Sequence, residues 1–418
     1  MRDMKDSEIE WIHNIPASWA VMPNKYLMHK IKRIRPVYGG EDILSLTMKG
    51  VIVRDLDAGG KMPTSFNGYQ ELYPGNLLMC LFDIDVTPRC IGLIKQFGLS
   101  SPAYSQFVLN DGVDAAYYCY YYTMLDNDKT LLHLAKNLRH SLTEEQLGAV
   151  PTVVPPIEEQ KRIAAYLDAK CAETDSLTAD IQAQIDTLEQ YKRSVVFRAV
   201  SQGITQAAMK KTDSDVWTTI PSNWDLADIK YLFEIVKRIA GKEGYDILSV
   251  TQRGLKVKDI SSNEGQIAND YSVYQLVYPT DFVMNHMDLL TGWVDCSTKF
   301  GVTSPDYRVF ILRDKERNNL HYFKYVMQCC YMCRIFYSLG QGVSQLGRWR
   351  LQTSSFNNFK VPVPPTEIQL EISIFLDTKI AEIDSIIDQK KEQLTVLEAY
   401  KKSLIYEYVT GKKEVPVQ

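Results

Sequence analysis

PPIEEQKRIAAYLDAKCAETDS, from Pro155 to Ser176, returns as PPTEIQLEISIFLDTKIAEIDS, from Pro364 to Ser385, in register and without a gap. Extended to Val200 and Val409, the two stretches are identical at 19 of 46 positions, far above the few that chance supplies. Such self-similarity marks a duplication and outranks other sequence signals. Each copy opens on Pro-Pro and places acids in the first turn (Glu158 and Glu159; Glu367). Proline halts the preceding strand, and carboxylates suit the positive end of a helix.

From there apolar residues recur in steps of four and three. The first copy carries Leu167, Ile181, Ile185, Leu188 and Val195 on this seam. The second carries Leu376, Ile380, Ile383, Ile387, Leu394, Leu397 and Leu404. A heptad seam sustained this long predicts paired helices. Neither helix alone buries its stripe. Matched lengths and seams favour pairing within the chain over packing of each helix on its own globular unit or on another molecule. If a compact domain's entry and exit lie together, the second helix runs back along the first, antiparallel, about a pseudo-two-fold axis. A seam of ~33 residues then spans ~50 Å.

The duplication extends upstream. WIHNIPASW (Trp11 to Trp19) parallels WTTIPSNW (Trp217 to Trp224). EDILSLTMKGVIVRD (Glu41 to Asp55) parallels YDILSVTQRGLKVKD (Tyr245 to Asp259). YQELYPGNLLM (Tyr69 to Met79) parallels YQLVYPTDFVM (Tyr274 to Met284), and SPAY (Ser101 to Tyr104) parallels SPDY (Ser304 to Tyr307). The order is therefore unit 1–154, helix 155–203, unit 204–363, helix 364–418. Runs such as DILSLT, VIVRDL, NLLMCLF and YSQFVLN read as short strands. The stretch from His321 to Leu339 reads as a helix, with AAYYCYYYTML as its counterpart. The class is α+β, with a closed or strongly curled sheet expected in each unit.

The 418 residues, 45% hydrophobic and 23% charged, fit an ordinary globular protein of two or more domains. No apolar run approaches the ~20 residues of a membrane span, and the charged N-terminus does not read as a signal peptide, so a cytoplasmic location is expected. The net charge of -4 lacks the basic excess of a free-standing DNA binder, so any nucleic-acid surface must be a local patch. Eight scattered cysteines include one C-x-x-C, Cys330 and Cys333, without a second ligand pair for zinc. These read as buried thiols on a helix.

Two diverged units, each followed by PPIEEQ/LDAK/YKRS or PPTEIQ/LDTK/YKKS, resemble the specificity subunit of type I restriction–modification enzymes. The resemblance covers nearly the whole chain; Ile368 in place of the second Glu of EEQ is a small departure. It implies two tandem α/β target recognition domains, each reading half of a bipartite site on double-stranded DNA. It further implies an antiparallel coiled coil that sets the spacer and docks two methyltransferase subunits, with restriction–translocase subunits recruited to a prokaryotic, cytoplasmic assembly. The chain itself would be non-catalytic and without a cofactor or metal; S-adenosylmethionine, ATP and magnesium would sit on partners. The sequence agrees: it has no [DN]-P-P-[YFW], no P-loop, and Gly340 to Gln345 fails G-x-G-x-x-G.

Phosphate positioning needs Lys and Arg, and base reading favours Arg, Lys, Asn and Gln. Candidates in the first unit are Lys30, Lys32, Arg33, Arg35, Lys49, Arg54, Lys61 and Arg139. In the second they are Lys237, Arg238, Gln252, Arg253, Lys256, Lys258, Gln341, Ser344, Gln345, Arg348 and Arg350. A solvated surface role accounts for any one of them as well as contact does. The tyrosines from Tyr117 to Tyr122 and Trp11, Trp19, Trp217 and Trp224 read as packing residues. Two competing functions stay open at this point: a complete enzyme with an unrecognised site, and a structural coiled-coil scaffold that never meets DNA.

Overall fold

The computed structural model describes residues 2–58, 63–135, 140–259, 268–342 and 349–416. The chain divides into two compact units, Met1–Ile181 with Glu392–Gln418, and Gln182–Lys391. Two long helices, Ile157–Gln202 and Thr366–Val409, each contribute one half to either unit.

The first unit is built on a four-stranded antiparallel sheet in the order Met28–Ile31, Ser105–Leu109, Leu77–Met79, Ile91–Leu93. The second repeats it as Phe233–Val236, Arg308–Leu312, Phe282–Met284, Val294–Cys296. Among the described residues the remaining strands form separate two-stranded ribbons rather than extending this sheet into one closed barrel. Isolated bridges, Ile34 to Gln70 and Ile43 to Leu99 in one unit, Ile239 to Gln275 and Ile247 to Val302 in the other, tie ribbons and connecting segments together.

A helix covers each sheet: Ala115–Asn127, capped by the Asp114 side chain on the Tyr117 N–H, and Leu320–Met332, capped by Asn319 on Tyr322. Four of the tyrosines, Tyr117, Tyr118, Tyr121 and Tyr122, are buried in the core, as are Trp19, Trp217 and Trp224. Cys329 and Cys330 are buried on the second of these helices. The helix expected through Leu339 stops earlier, because Arg334 adopts φ +55° and a short helix, Ile335–Ser338, starts afresh.

The long-helix motifs now acquire physical roles. Gln160 of the first PPxExQ motif is fully buried. Its amide oxygen accepts from the Asp114 N–H at 2.8 Å and its NH2 donates to the Pro155 carbonyl at 2.8 Å. Gln369 repeats both bonds, from the Asn319 N–H and to the Pro364 carbonyl, each at 2.8 Å. One glutamine thus joins the start of a long helix to the cap of the sheet-covering helix. The Asp of L-D-x-K continues this joint: Tyr120 donates to Asp168 at 2.7 Å and Tyr325 to Asp377 at 2.6 Å.

The Lys of Y-K-x-S pairs across helices. In the second unit Lys192 lies 2.6 and 2.7 Å from the Asp384 carboxylate oxygens. In the first unit Lys401 lies 2.5 Å from Asp175. The two pairs are the same pair exchanged between copies, since Lys192 matches Lys401 and Asp384 matches Asp175. In the first unit the Tyr166 and Tyr408 hydroxyls meet at 3.2 Å, so residue numbers rise on one segment as they fall on the other.

Among the seam residues, Leu167, Ile181 and Leu404 of the first unit are buried, with Leu394 and Leu397 half-buried. In the second, Ile185, Val195, Leu376, Ile383 and Ile387 are buried, and Leu188 and Ile380 half-buried. Among the described residues no helix is long and apolar enough to cross a membrane.

Candidate nucleic-acid interface

The surface opposite the packing residues is shaped by buried amides. Gln70 donates its NH2 to the carbonyls of Ser101 and Tyr104, both at 2.8 Å, so the YQ motif holds the SPAY turn. Gln275 does the same for SPDY, donating to Ser304, Pro305 and Tyr307. The repeated sequence pieces are therefore two ends of one hydrogen-bonded clamp.

Beside each clamp stands an exposed cationic–aromatic group. Arg33 lies over the Tyr73 ring at 5.1 Å, and Tyr73 meets Phe97 edge-on at 5.6 Å. In the second unit Arg238 lies over Tyr278 at 4.8 Å, and Tyr278 meets Phe300 at 5.1 Å. Phe97 and Phe300 are 42% and 41% exposed, so each group presents an aromatic ring to solvent. Guanidinium planes and aromatic rings are the groups on which nucleic-acid bases stack.

The neighbourhoods differ in charge. In the first unit Arg35 is held by Glu41 at 2.6 Å and Glu71 at 3.1 Å. The Tyr73 hydroxyl, then Arg35 and Arg33, keep the Glu71 carboxyl below the usual carboxylate range. In the second unit Arg238 pairs with buried Asp281 at 2.6 Å, and position 240, which matches Arg35, is Ala240.

A second exposed feature is a hairpin: Leu44–Thr47 with Gly50–Val53, and Leu248–Thr251 with Gly254–Val257. The Thr47 and Thr251 hydroxyls donate to the Gly50 and Gly254 carbonyls, and those glycines take φ +87° and +95°. Only glycine enters that region without cost, which fixes both turns. Lys49 sits at one tip, Gln252 and Arg253 at the other, all exposed.

The structure thus brings the anticipated residues into distinct settings. Lys32, Lys49, Lys237, Gln252, Arg253 and Lys256 are exposed on or beside these features. Lys30 is exposed but pairs with Glu144 at 3.3 Å. Arg54 and Lys258 follow the hairpins and are half-buried, their N–H groups bonded to Ile43 and Ile247. Gln341 and Arg350 are bridged backbone to backbone at 2.9 and 3.1 Å. Lys61, Arg139, Ser344, Gln345 and Arg348 lie outside the described residues. Sequence reasoning missed Tyr73, Phe97, Tyr278 and Phe300; the shared Tyr-Pro and Phe-Gly pairs were the available signal.

Comparison with known proteins places these features in context. Residues 221–396 match the type I restriction modification DNA specificity domain. The type I restriction enzyme MjaVIII specificity subunit of Methanocaldococcus jannaschii is 22% identical over 283 residues, 63% of this chain and 62% of that protein. The type I restriction enzyme EcoBI specificity subunit of Escherichia coli is 24% identical over 282 residues, 62% of this chain and 57% of that protein. The chain therefore spans less than two thirds of the length of these relatives. A chain solved in work on complex assembly and conformational transition of the type I R-M system superposes with a TM-score of 0.67 at 12% identity, covering 96% of this chain and 99% of that one, which establishes a shared fold. In the repeated helix motif, the matched domain and these relatives, the chain is similar to the specificity subunits of type I restriction–modification enzymes.

Proposed function

We propose that this chain is the DNA-reading, non-catalytic subunit of a cytoplasmic type I restriction–modification assembly. Each globular unit is a target recognition domain for one half of an asymmetric bipartite site. The long helices form an antiparallel coiled coil that fixes the spacer and docks two methyltransferase subunits, to which restriction subunits add. S-adenosylmethionine, ATP and magnesium belong to those partners, and this chain supplies no reacting group.

One observation carries the reading: the units repeat each other's internal bonds and cationic–aromatic groups while the charged residues beside those groups diverge. The Gln70 and Gln275 clamps, the glycine hairpins and the Gln160 and Gln369 joints recur, the second clamp adding only a bond to the Pro305 carbonyl. The paired surface groups do not, as Arg35 with Glu71 becomes Ala240 with Leu276. A constant frame with altered contact residues suits two readers of different base sequences. Two partner copies are supported by matched exposed apolar residues within two positions of the cross-helix ion pairs: Tyr191 and Ile386 in one unit, Tyr400 and Leu177 in the other.

The test is methylation mapping with the methyltransferase partner present. Methylated adenines are expected at a two-part site. Inserting seven residues at matched positions of both long helices lengthens the spacer by about 10 Å, roughly three base pairs, and leaves both half-sites unchanged. Altered half-sites with an unchanged spacer would refute the coiled-coil ruler, and methylation or cleavage by the purified chain alone would refute the non-catalytic assignment.

A further inference from the structure

In the second unit a buried cation lacks an ionic partner. Arg308, 5% exposed, sits at the start of the strand Arg308–Leu312. Its Nη2 donates to the Leu351 carbonyl at 3.1 Å and the Thr353 hydroxyl at 3.2 Å, and its guanidinium lies over Phe356 at 4.7 Å. Among the described residues its buried Nη1 has no hydrogen-bond partner. Leu351 also links Arg308 to His286, because its N–H donates to the His286 carbonyl at 3.0 Å. The His286 Nδ1 is likewise buried and unpartnered. Burial, then the charges of Arg308 and Arg350, depress His286 to about 4 against the opposing pull of Asp306 and the Met284 backbone, so its ring is neutral, with one N–H and one bare nitrogen. Among the described residues no carboxylate forms an ion pair with Arg308 or Arg350.

In matching register, the described residues of the first unit offer no such cluster. Ser105 stands where Arg308 does, facing Met79 as Arg308 faces Met284. The Leu142 N–H bonds to Leu81 as Leu351 bonds to His286, so Leu81 and Ser141 replace His286 and Arg350. Three basic side chains thus stand in the second unit where the first has Ser105, Leu81 and Ser141. An uncompensated buried guanidinium is among the costlier groups a core can hold, and two unpartnered polar atoms beside exposed Arg350 form a donor set that suits an anion.

We propose that Arg308, His286 and Arg350 bind one tetrahedral oxyanion, and that this anion is a backbone phosphate of the DNA read by the second unit. The assignment to DNA rests on the function proposed above; the anion site itself does not. Arg308 offers Nη1, Arg350 supplies a second positive charge from the exposed side, and the His286 ring donates to a third oxygen. The contact positions the duplex without reading a base, and it is specific to one half-site.

Two arms test this on the full chain. In the first, thermal unfolding is followed in sulfate against chloride at matched ionic strength. Sulfate raises every midpoint through its exclusion from protein surface; the wild type rises further, Arg308→Met removes that excess, and His286→Leu, which installs the side chain that Leu81 provides in the sister unit, reduces it. An equal increment in wild type and both variants overturns the site; if Arg308→Met does not fold, His286→Leu alone decides. In the second, duplex affinity is measured across salt concentrations. Arg308→Met lowers affinity about 10-fold and lowers the slope of log affinity against log salt by about 0.9. A sulfate excess lost in Arg308→Met beside an unchanged duplex slope overturns the assignment to a DNA phosphate. Failure of the wild type to bind duplex overturns the DNA-reading function instead, and leaves the anion site to the first arm.

Discussion

Replacing Gln160 by Met isolates the joint between a long helix and its unit. Methionine keeps the length and apolar body of the side chain and removes both polar ends. The Asp114 N–H then loses its acceptor and the buried Pro155 carbonyl its donor. Each orphaned group costs about 1–3 kcal/mol, so the pair costs about 2–6 kcal/mol. For a unit of this size 1 kcal/mol moves the midpoint by roughly 2–4 °C, which gives a fall of about 4–24 °C. The assay is thermal unfolding followed by far-UV circular dichroism, with Gln184→Met as the control. Gln184 is exposed on the same helix and matched by Gln393 in the other copy, so the repeat alone gives no reason to rank it below Gln160. A Gln160→Met shift as small as that of Gln184→Met would refute the reasoning that the motif glutamine is held by its bonds.

Exchanging the charges of one cross-helix pair, Lys192→Asp with Asp384→Lys, is expected to recover part of what each single change loses. The coupling should be about 0.5–1 kcal/mol, given that both groups are partly exposed, and should shrink in high salt; a zero coupling in a double-mutant cycle would contradict the pairing. His286 is depressed in the folded state, so the unfolded chain binds its proton first. Its contribution is present above about pH 6.5 and is lost as the pH falls toward about 4; denaturant titrations across that window should show a flatter acid limb in His286→Leu. Arg33→Ala is expected to weaken duplex binding and to lower its salt slope by about 1, read by fluorescence anisotropy, with little change in unfolding midpoint; Arg238→Ala should do the same to binding and also lower the midpoint, because it leaves buried Asp281 without its partner.

The duplication made the long helices legible, because 3.5-residue periodicity and an ungapped repeat are both local signals. It also marked the residues that matter for the joint without revealing what they do. Gln160 and Asp168 touch Asp114 and Tyr120, which lie in another part of the chain, and no periodicity encodes that. Similarly the SPAY and YQ motifs were visible as repeats, but their union through Gln70 exists only once the chain has folded. The helix end at Arg334 escaped notice because arginine rarely takes φ +55° and gives no turn signal. The candidate site was legible as basic residues and not as a surface. Residues 33, 73 and 97 come from three separate segments, so the Arg33, Tyr73 and Phe97 group has no footprint in any window of sequence. Ion pairs at Lys30, Arg35 and Arg238 also separate bases that look equivalent on paper.

Packing makes one unit contiguous, Gln182–Lys391, and the other discontinuous, with Glu392–Gln418 joined to Met1–Ile181. In the discontinuous unit Tyr117 donates to the Val409 carbonyl at 2.7 Å, Lys412 to the Ile12 carbonyl at 3.0 Å, and Arg2 lies 3.8 Å from Glu414. During synthesis the N-terminal core must therefore wait, its docking face uncovered, while some two hundred further residues emerge and fold as a unit of their own. The order of assembly is the reverse of the order of translation: the half that is made first is the half that is finished last.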